Sequence, residues 1–368
     1  MKKIRFGIII ICVFVFTSCG ITGRILLWNR ADLDDYKKFP SRQIHKSVHS
    51  FHFYESSIQY HFDVSIPSEL YSQGTKTFEG ILKSDKTVAF LIIRNDSIIY
   101  ENYFDGYSKS EIVNSFSVAK SFVSLLTGIA ISEGYIKDVH VKITDYIPEL
   151  QKKGFDKISI EDLLNMRSGI KFNDGLIIPY TNEATYYYGP DLLSYLKHLK
   201  IKNEPALNFQ YKSVNTHLLS IIISRATKKT LSEYLQEKIW EPLGMESDAK
   251  WVIDHENGIE RAFCCLNAVA RDYAKLGRLC LYKGNWDGKQ IVPEAWIEKC
   301  THPSIIGENS YSYHFWLYKN NTYFANGFHG QYVFVNPNTN TIIVRIGDCE
   351  KKVKWLEMLY FLSEQNHY

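Results

Sequence analysis

The sequence predicts an α+β fold: an antiparallel β-sheet flanked by helices, with a helical lobe inserted between its strands. Strand patterns occur near both ends of the 368-residue chain, at 87–104 and 322–348, and most helical patterns lie between them. The terminal strands must therefore pair across a long helical region, unlike the alternating strands and helices of a βαβ repeat. A composition of 45% hydrophobic and 23% charged residues is ordinary for a chain with a packed core.

The first strand pattern, "TVAFLIIRNDSIIYENYF", predicts two strands joined by a turn at Asn95 and Asp96. The segment that follows it, 117–133, is apolar on nearly every face and is followed by Gly134. A helix without a polar face is a buried helix, and glycine commonly ends one. We therefore expect a core helix over 117–133.

Later elements follow from capping and turn signals. Ser159-x-x-Asp162 predicts the capped start of a helix. The remaining local predictions are helices at 190–200, 214–227 and 231–240, a turn at 286–289, and strands separated by Gly and Asn-Pro-Asn turns over 322–348.

The first nineteen residues predict a targeting segment. "MKKIR" is basic, the apolar run "FGIIIICVFVF" has 11 residues, and "FTSCG" leads into Cys19. The run is shorter than the roughly 20 residues that a membrane-spanning helix needs, which favours a signal peptide. The end of the segment resembles a bacterial lipobox, so we expect Cys19 to be lipidated and the protein to be anchored outside the cytoplasmic membrane. An ordinary signal peptide and an uncleaved anchor are the alternatives.

This organisation divides the chain into three parts. Residues 1–19 form the lipoprotein signal peptide, 20–75 form a polar linker and wrapping segment, and 76–368 form the main domain. The segment "HKSVHSFHF" spaces His45, His49 and His52 as on a helix, but surface histidines are the better interpretation because no His-Glu-x-x-His accompanies them. We expect no metal.

Cysteine usage does not indicate a disulfide framework. The chain has seven cysteines, at 12, 19, 264, 265, 280, 300 and 349, and no Cys-x-x-Cys pair. Cys264 and Cys265 are expected to be small buried apolar residues. A disulfide between Cys280 and Cys300 stays open as an alternative.

Several function classes are disfavoured. A net charge of +3 is too small to indicate nucleic-acid binding. The chain has no Gly-x-Gly-x-x-Gly and no P-loop, so no nucleotide cofactor is expected. It also lacks the Gly-x-Ser-x-Gly elbow of α/β-hydrolases.

Ser117 and Lys120 are the strongest candidates for chemistry. Ser-x-x-Lys occurs four times, starting at 117, 168, 194 and 247, but only Ser117 stands at the first turn of a predicted buried helix. Residues three apart share a helix face, so the lysine amine can reach the hydroxyl. The helix start offers free N–H groups to an oxyanion, and burial lowers the pKa of a lysine so that it can accept a proton.

Two further segments could complete such a site. "FQYKSVNTHLLS" offers Tyr211, which with a lowered pKa could act as base and then as acid, although a core tyrosine is the commoner outcome. Ser213 lies two residues later. In "GFHGQY", His329 and Gly330 begin a strand, and the N–H of Gln331 could complete an oxyanion hole.

Taken together, "FSVAKSF", "ISIEDLLNMRSGI", "FQYKSVNTHLLS", "IWEPLGM" and "FHGQYVFVNP" resemble the serine β-lactamase and penicillin-binding-protein superfamily. The resemblance runs from about residue 75 to residue 362 and is nearest to the class C-related branch with 6-aminohexanoate-dimer hydrolases and esterases. It implies that Ser117 is the nucleophile, Lys120 its proton acceptor and Tyr211 the tyrosine of Tyr-x-Asn. It further implies that His329-Gly330 replaces Lys-Thr-Gly and that the N–H groups of Ser117 and Gln331 form the oxyanion hole.

Two departures affect the expected substrate. Ser213 stands where the family has asparagine, and Phe328 stands where a lysine usually precedes the glycine motif. We therefore expect an ester, amide or peptide substrate rather than a β-lactam, within a pocket walled by Tyr180, 186–188 and Trp316. A D,D-peptidase or D-aminopeptidase acting on cell-wall peptides and a non-catalytic binding protein are the alternatives.

Overall fold

The protein is described here by a computed structural model, which defines residues 21–28, 31–55, 66–72, 77–175, 181–303 and 310–365. The predictions for the signal peptide, Cys12, Cys19 and Tyr180 lie outside these residues. Within the described ranges, no helix combines the length and the apolar character needed to cross a membrane.

The main sheet has eight strands, and it is antiparallel except where its short edge strand joins it. In spatial order its strands are β10 (Tyr311–Ser312), β11 (Phe315–Leu317), β12 (Tyr323–Gly327), β13 (Gln331–Asn336), β14 (Thr341–Gly347), β3 (Thr87–Arg94), β4 (Ser97–Tyr103) and β2 (Tyr54–Glu55). Strand β3 pairs directly with β14, from Arg94 opposite Thr341 onward. The predicted pairing of the two ends of the chain is therefore confirmed.

Four shorter strands form a second sheet beside the helical lobe, and two form a separate hairpin. The second sheet has the order β1 (Ser41–Ile44), β6 (Ala249–Val252), β7 (Leu266–Ala268) and β5 (Val113–Asn114). The hairpin joins β8 (Asn285–Trp286) to β9 (Lys289–Gln290) through the predicted turn. Residues 31–55 thus add a strand to each of the two sheets, because β1 pairs with β6 and β2 pairs with β4.

The helices cover the main sheet and form the lobe between its two halves. In chain order they are α1 (Ile21–Trp28), α2 (Phe78–Ser84), α3 (Ala119–Ser132), α4 (Ile160–Leu164), α5 (Asn182–Tyr188), α6 (Ser213–Thr227), α7 (Leu231–Leu235), α8 (Ala270–Leu281), α9 (Glu294–Thr301) and α10 (Trp355–Glu364).

The two faces of the sheet pack against different helices. On β3, Ala89, Leu91 and Ile93 belong to the large core shared with the lobe. The alternate residues Phe90 and Ile92 belong to a smaller core with α2 and α10. Successive side chains of a strand point to opposite faces, so a continuous apolar run such as "TVAFLII" is what a sheet covered on both faces requires.

Local predictions hold where a strong signal exists. Asn95 and Asp96 have φ values of 49° and 60°, as a tight hairpin turn needs. Ser159 and Asp162 form the predicted capping box. The helix predicted at 190–200 is wrong: this segment has only a 3₁₀ turn at Ser194–His198.

Candidate active site

Ser117 and Lys120 lie at the junction between a short turn and a buried helix. Ser117 is in a 3₁₀ turn, Phe116–Val118, and Lys120 is in the first turn of α3. Lys120 Nζ lies 2.8 Å from Ser117 Oγ and donates to the carbonyl of Phe263 at 2.7 Å. Ser117 is half-buried, whereas Lys120 is 1% exposed. The structure thus brings a serine hydroxyl and a shielded amine into direct contact.

Burial lowers the pKa of Lys120 to about 8, and the nearby carboxylates of Glu183 and Asp174 act in the opposite direction. A charged amine loses its hydration when it is buried, which favours the neutral form. Lys120 therefore loses its proton near neutral pH much more readily than an ordinary lysine does. The predicted direction of this shift is confirmed.

Tyr211 lies above the same amine, but its pKa departs from the prediction. The ring of Tyr211 is 5.1 Å from Lys120 Nζ and stacks on Trp316 at 5.7 Å. Burial raises the pKa of Tyr211 above its ordinary value, and a hydrogen bond with Ser117 opposes this only in part. The expectation of a lowered pKa was wrong, because burial outweighs the single hydrogen bond. Tyr211 is a neutral phenol that can donate a proton, and Lys120 is the better base.

The strand that runs against Ser117 is the end of β12. A Cβ added to Gly327 would lie 3.1 Å from Ser117 N and 2.4 Å from the Ser115 carbonyl oxygen. Only a glycine fits such a close approach of two backbones. Asn326, Gly327 and Phe328 accordingly line the cavity in front of Ser117.

The residues predicted for this position, His329, Gly330 and Gln331, do not line the cavity. The carbonyls of His329 and Gly330 accept hydrogen bonds from Arg345 Nη1 at 3.1 and 2.6 Å. The Gln331 side chain exchanges two hydrogen bonds with the backbone of Gly347. The prediction was therefore wrong by about three residues, since 326–328 line the cavity instead. Buried Arg345 holds the carbonyls of His329 and Gly330 in the turn between β12 and β13.

Ser213 donates hydrogen bonds to two carboxylates of the site. Its N–H donates to Asp174 at 2.8 Å and its hydroxyl donates to Glu183 at 2.8 Å. Gly175 N donates to the other oxygen of Glu183 at 2.6 Å. Burial, and then the charge of Glu183, raise the pKa of Asp174 to about 6. The serine that replaces asparagine therefore holds an acidic pair next to Lys120.

These groups enclose a cavity of about 420 Å³. Its lining combines the candidate catalytic residues, aromatic rings and carboxylates: Phe116, Ser117, Asp174, Gly175, Glu183, Tyr187, Tyr211, Phe263, Cys264, Trp316, Asn326, Gly327, Phe328 and Glu350. Of the predicted wall residues, Tyr187 and Trp316 line the cavity, whereas Tyr186 and Tyr188 are buried behind it. Asp35, in the segment that precedes β1, accepts a hydrogen bond from the Tyr187 hydroxyl.

The cysteines differ from the prediction. Cys264 and Cys265 are buried as expected, but they form a disulfide with each other. Cys280 and Cys300 are free buried thiols, so the suggested bond between them is not formed. The sequence could not show this, because neighbouring cysteines rarely bond and only their surroundings distinguish them from core residues.

No metal site is found among the described residues, which contain no suitable group of three or more histidine, cysteine or acidic side chains. His52 pairs with Glu246 at 3.0 Å on the surface.

The carboxylates of the cavity were missed by sequence reasoning. Asp174 lies in an ordinary "NDG" turn pattern and Glu183 in a helix start, and neither pattern carries a catalytic signature.

Comparisons with known proteins identify the family of this chain. A family profile described as Beta-lactamase matches residues 78–351. The 6-aminohexanoate-dimer hydrolase of Paenarthrobacter ureafaciens is 28% identical over 290 residues, which span 72% of this chain and 73% of the relative.

Solved structures share the fold. A Bacillus anthracis protein provisionally assigned as a 6-aminohexanoate-dimer hydrolase has a TM-score of 0.78 at 24% identity, with 93% of each chain covered. A class C β-lactamase mutant has a TM-score of 0.61 at 13% identity, covering 77% of this chain and 94% of that one.

The fold and these relatives define a serine hydrolase of the β-lactamase and penicillin-binding-protein type. The chain belongs to the β-lactamase family.

Proposed function

We propose that this protein hydrolyses an amide or ester bond through an acyl-enzyme, with Ser117 as nucleophile, Lys120 as its base and Tyr211 as proton donor. The contact of 2.8 Å between Ser117 Oγ, which lines the cavity, and the buried Lys120 Nζ carries this proposal. A lysine that is buried without a use destabilises a protein, so a binding protein on the same fold is the weaker alternative.

The proposed reaction uses the groups in order. Neutral Lys120 accepts the Ser117 proton while Oγ attacks the substrate carbonyl carbon and an oxyanion forms. In this proposal the N–H groups of Ser117 and of Phe328, two residues that line the cavity, donate to that oxyanion. Tyr211 then donates its proton to the leaving nitrogen or oxygen and regains one from Lys120. Water attacks the acyl-enzyme by the same route and releases the acid.

The charge of the cavity supports a substrate with a cationic group. Asp174, Glu183 and Glu350 line it, and its described lining contains no lysine or arginine. A carboxylate attracts an ammonium and repels a carboxylate, most strongly where water is scarce. We therefore propose an amide whose free amino group reaches the acidic pair, as in a linear aminoacyl amide.

The same charge disfavours two alternatives. β-Lactams and the peptides cut by D,D-peptidases present a carboxylate, which this acidic wall would repel. A D-aminopeptidase acting on cell-wall peptides fits better, because its substrate presents an ammonium. It is our second candidate.

We also propose that the protein works outside the cytoplasm as a lipid-anchored enzyme. The basic and apolar start of the sequence and Cys19 support this. A disulfide such as that of Cys264 and Cys265 is more common in oxidising compartments than in the cytosol. Incorporation of labelled palmitate, lost in Cys19→Ala, would support the anchor, and unchanged incorporation would exclude it.

The first test is covalent labelling. The full chain is incubated with a fluorophosphonate, and the adduct is located by peptide mass mapping. We expect modification at Ser117 that disappears in Lys120→Ala. No labelling of a folded protein would favour the binding-protein alternative.

The substrate class is tested with a matched pair: 6-aminohexanoyl-p-nitroanilide and its N-acetylated form. We expect kcat/KM to be about 10- to 100-fold higher for the free amine, as a charge-assisted contact would give. Equal values would remove the cationic preference, and efficient turnover of nitrocefin would contradict the exclusion of β-lactams.

A further inference from the structure

The disulfide between Cys264 and Cys265 adjoins the proposed base. Cys264 lines the cavity, and so does Phe263, the residue before it. The Phe263 carbonyl accepts the hydrogen bond of 2.7 Å from Lys120 Nζ, and the Phe263 ring lies 6.0 Å from the same atom. The carbonyl that orients Lys120 thus belongs to the peptide bond that joins Phe263 to Cys264.

The same segment supports the other side of the site. The Leu266 carbonyl accepts a hydrogen bond from Ser115 N at 2.9 Å, just before the turn that carries Ser117. Strand β7 pairs with β5, with Asn267 opposite Asn114. Residues 263–267 therefore contact both the base and the turn of the nucleophile.

The backbone between these contacts has an unusual conformation. Cys265 has a φ of 70°, which residues other than glycine adopt only when their surroundings impose it. Val252 N donates to the Cys265 carbonyl at 3.0 Å, and Trp251 Nε1 donates to the Cys264 carbonyl at 3.0 Å. The disulfide closes a small ring around this conformation and helps to maintain it.

We propose that the Cys264–Cys265 disulfide is a positioning element that holds the Phe263 carbonyl on Lys120, so that its reduction makes Ser117 less reactive. This rests on the proposed function, in which Lys120 accepts the Ser117 proton. In the reduction, a dithiol supplies two electrons and two protons. The S–S bond breaks, Cys264 and Cys265 become thiols, and the reductant becomes a disulfide. A disulfide oxidant reverses the step.

Reduction would affect Lys120 through its surroundings. Without the ring, Cys265 can leave its positive φ, and the Phe263 carbonyl and ring can withdraw from the amine. Water would then reach Lys120, and its pKa would rise toward the ordinary value. Reduction does not alter the other titratable groups that face Lys120, which are Asp174, Glu183, Tyr211 and His314.

The test measures the rate of Ser117 labelling by a fluorophosphonate as a function of pH, using the full chain before and after dithiothreitol. Alkylation and mass mapping count the thiols in each form. We expect the rate at neutral pH to fall on the order of a hundredfold on reduction. The acidic limb of the profile should move to higher pH, and oxidised glutathione should restore both. A rate that falls equally at every pH would indicate a general structural role and would overturn the inference.

Variants separate the ring from the thiols. Cys264→Ala with Cys265→Ala should behave like the reduced protein at all times. Cys264→Ala with Cys265→Gly should recover part of the rate, because glycine adopts a positive φ freely. Cys349→Ser is the matched control and should respond to dithiothreitol as the unmodified chain does.

Two further results would overturn the inference. The first is an equal labelling rate and pH profile in both forms, when two additional thiols are counted in the reduced form. The second is free thiols at Cys264 and Cys265 in the isolated protein. The outcome for the proposed function is distinct. If Ser117 is labelled in neither form, the proposed function fails and this inference fails with it.

Discussion

The two walls of the cavity differ in the chemical groups that they present. The lobe wall presents Asp174 and Glu183 on the loop before α5 and on α5 itself. The sheet wall presents residues 326–328, and Glu350, the one carboxylate among its described residues, lies near the cationic Arg345. Side-chain charge on the lobe can select a substrate, whereas backbone N–H groups on a rigid strand can stabilise an oxyanion. We therefore propose that the lobe wall selects the substrate and that the sheet wall stabilises the oxyanion.

The largest expected effect concerns Ser117 and Lys120, which lie between the two walls. Ser117→Ala should lower kcat by about a millionfold, because removing the nucleophile leaves only binding and oxyanion stabilisation. Lys120→Ala should be nearly as damaging, since no other described neutral amine contacts Ser117 Oγ. Stopped assays on the purified variants, with melting curves as the fold control, would check this. Activity near that of the unmodified enzyme in either variant would exclude the mechanism.

The sheet wall is tested by Gly327→Ala. The added Cβ would lie 2.4 Å from the Ser115 carbonyl oxygen, so the strand must move away from Ser117. We expect kcat to fall by about 10²- to 10³-fold, as for the loss of one oxyanion donor.

This loss should be the same for cationic and neutral substrates. The control is Gly106→Ala, where nothing lies within 4 Å of the added Cβ but the φ of 83° strains any side chain, so that it measures the cost of a strained glycine replacement away from the cavity. A similar loss of kcat in that control would mean that replacing any glycine is harmful, and the sheet wall would lose its assigned role.

The lobe wall is tested by Asp174→Asn and Glu183→Gln. Each should lower kcat/KM about 10- to 100-fold for the free-amine substrate and much less for its acetylated form. Glu350→Gln, on the sheet wall, should have the smaller effect because Arg345 counters its charge. An equal loss on both substrates would mean that the carboxylates support the structure rather than select the substrate.

The smallest effect is the pH dependence. Because burial lowers the pKa of Lys120 to about 8, the neutral amine becomes more abundant as the pH rises through that value. The rate of Ser117 labelling should increase about tenfold from about pH 7 to about pH 9 and then level off. Asp174→Asn removes a charge that favours the ammonium, so it should move this limb to lower pH. A profile that is flat over this range would argue against Lys120 as base.

The sequence predicted the fold and most of the floor of the site because these depend on local patterns. Apolar runs locate β3 and α3, and the three-residue spacing of Ser117 and Lys120 places both on one side of a helix start. Tyr211 was identified from its position before an apolar helix. The prediction failed for His329, Gly330 and Gln331, where the motif "ANGFHG" contains two glycines and its pattern does not show which of them faces Ser117.

What the sequence alone determined about this protein is its sheet, its buried central helix and its serine–lysine pair, because periodicity and spacing act over a few residues. The tertiary structure decided which glycine touches the nucleophile, because Arg345 holds one end of the hairpin from another strand. It also decided that Ser213 donates hydrogen bonds to two carboxylates and that Cys264 bonds to Cys265 beside Lys120. The contacts of Arg345, of Ser213 and of Lys120 with Phe263 join residues far apart in the chain, and burial then sets the pKa of each group that they enclose.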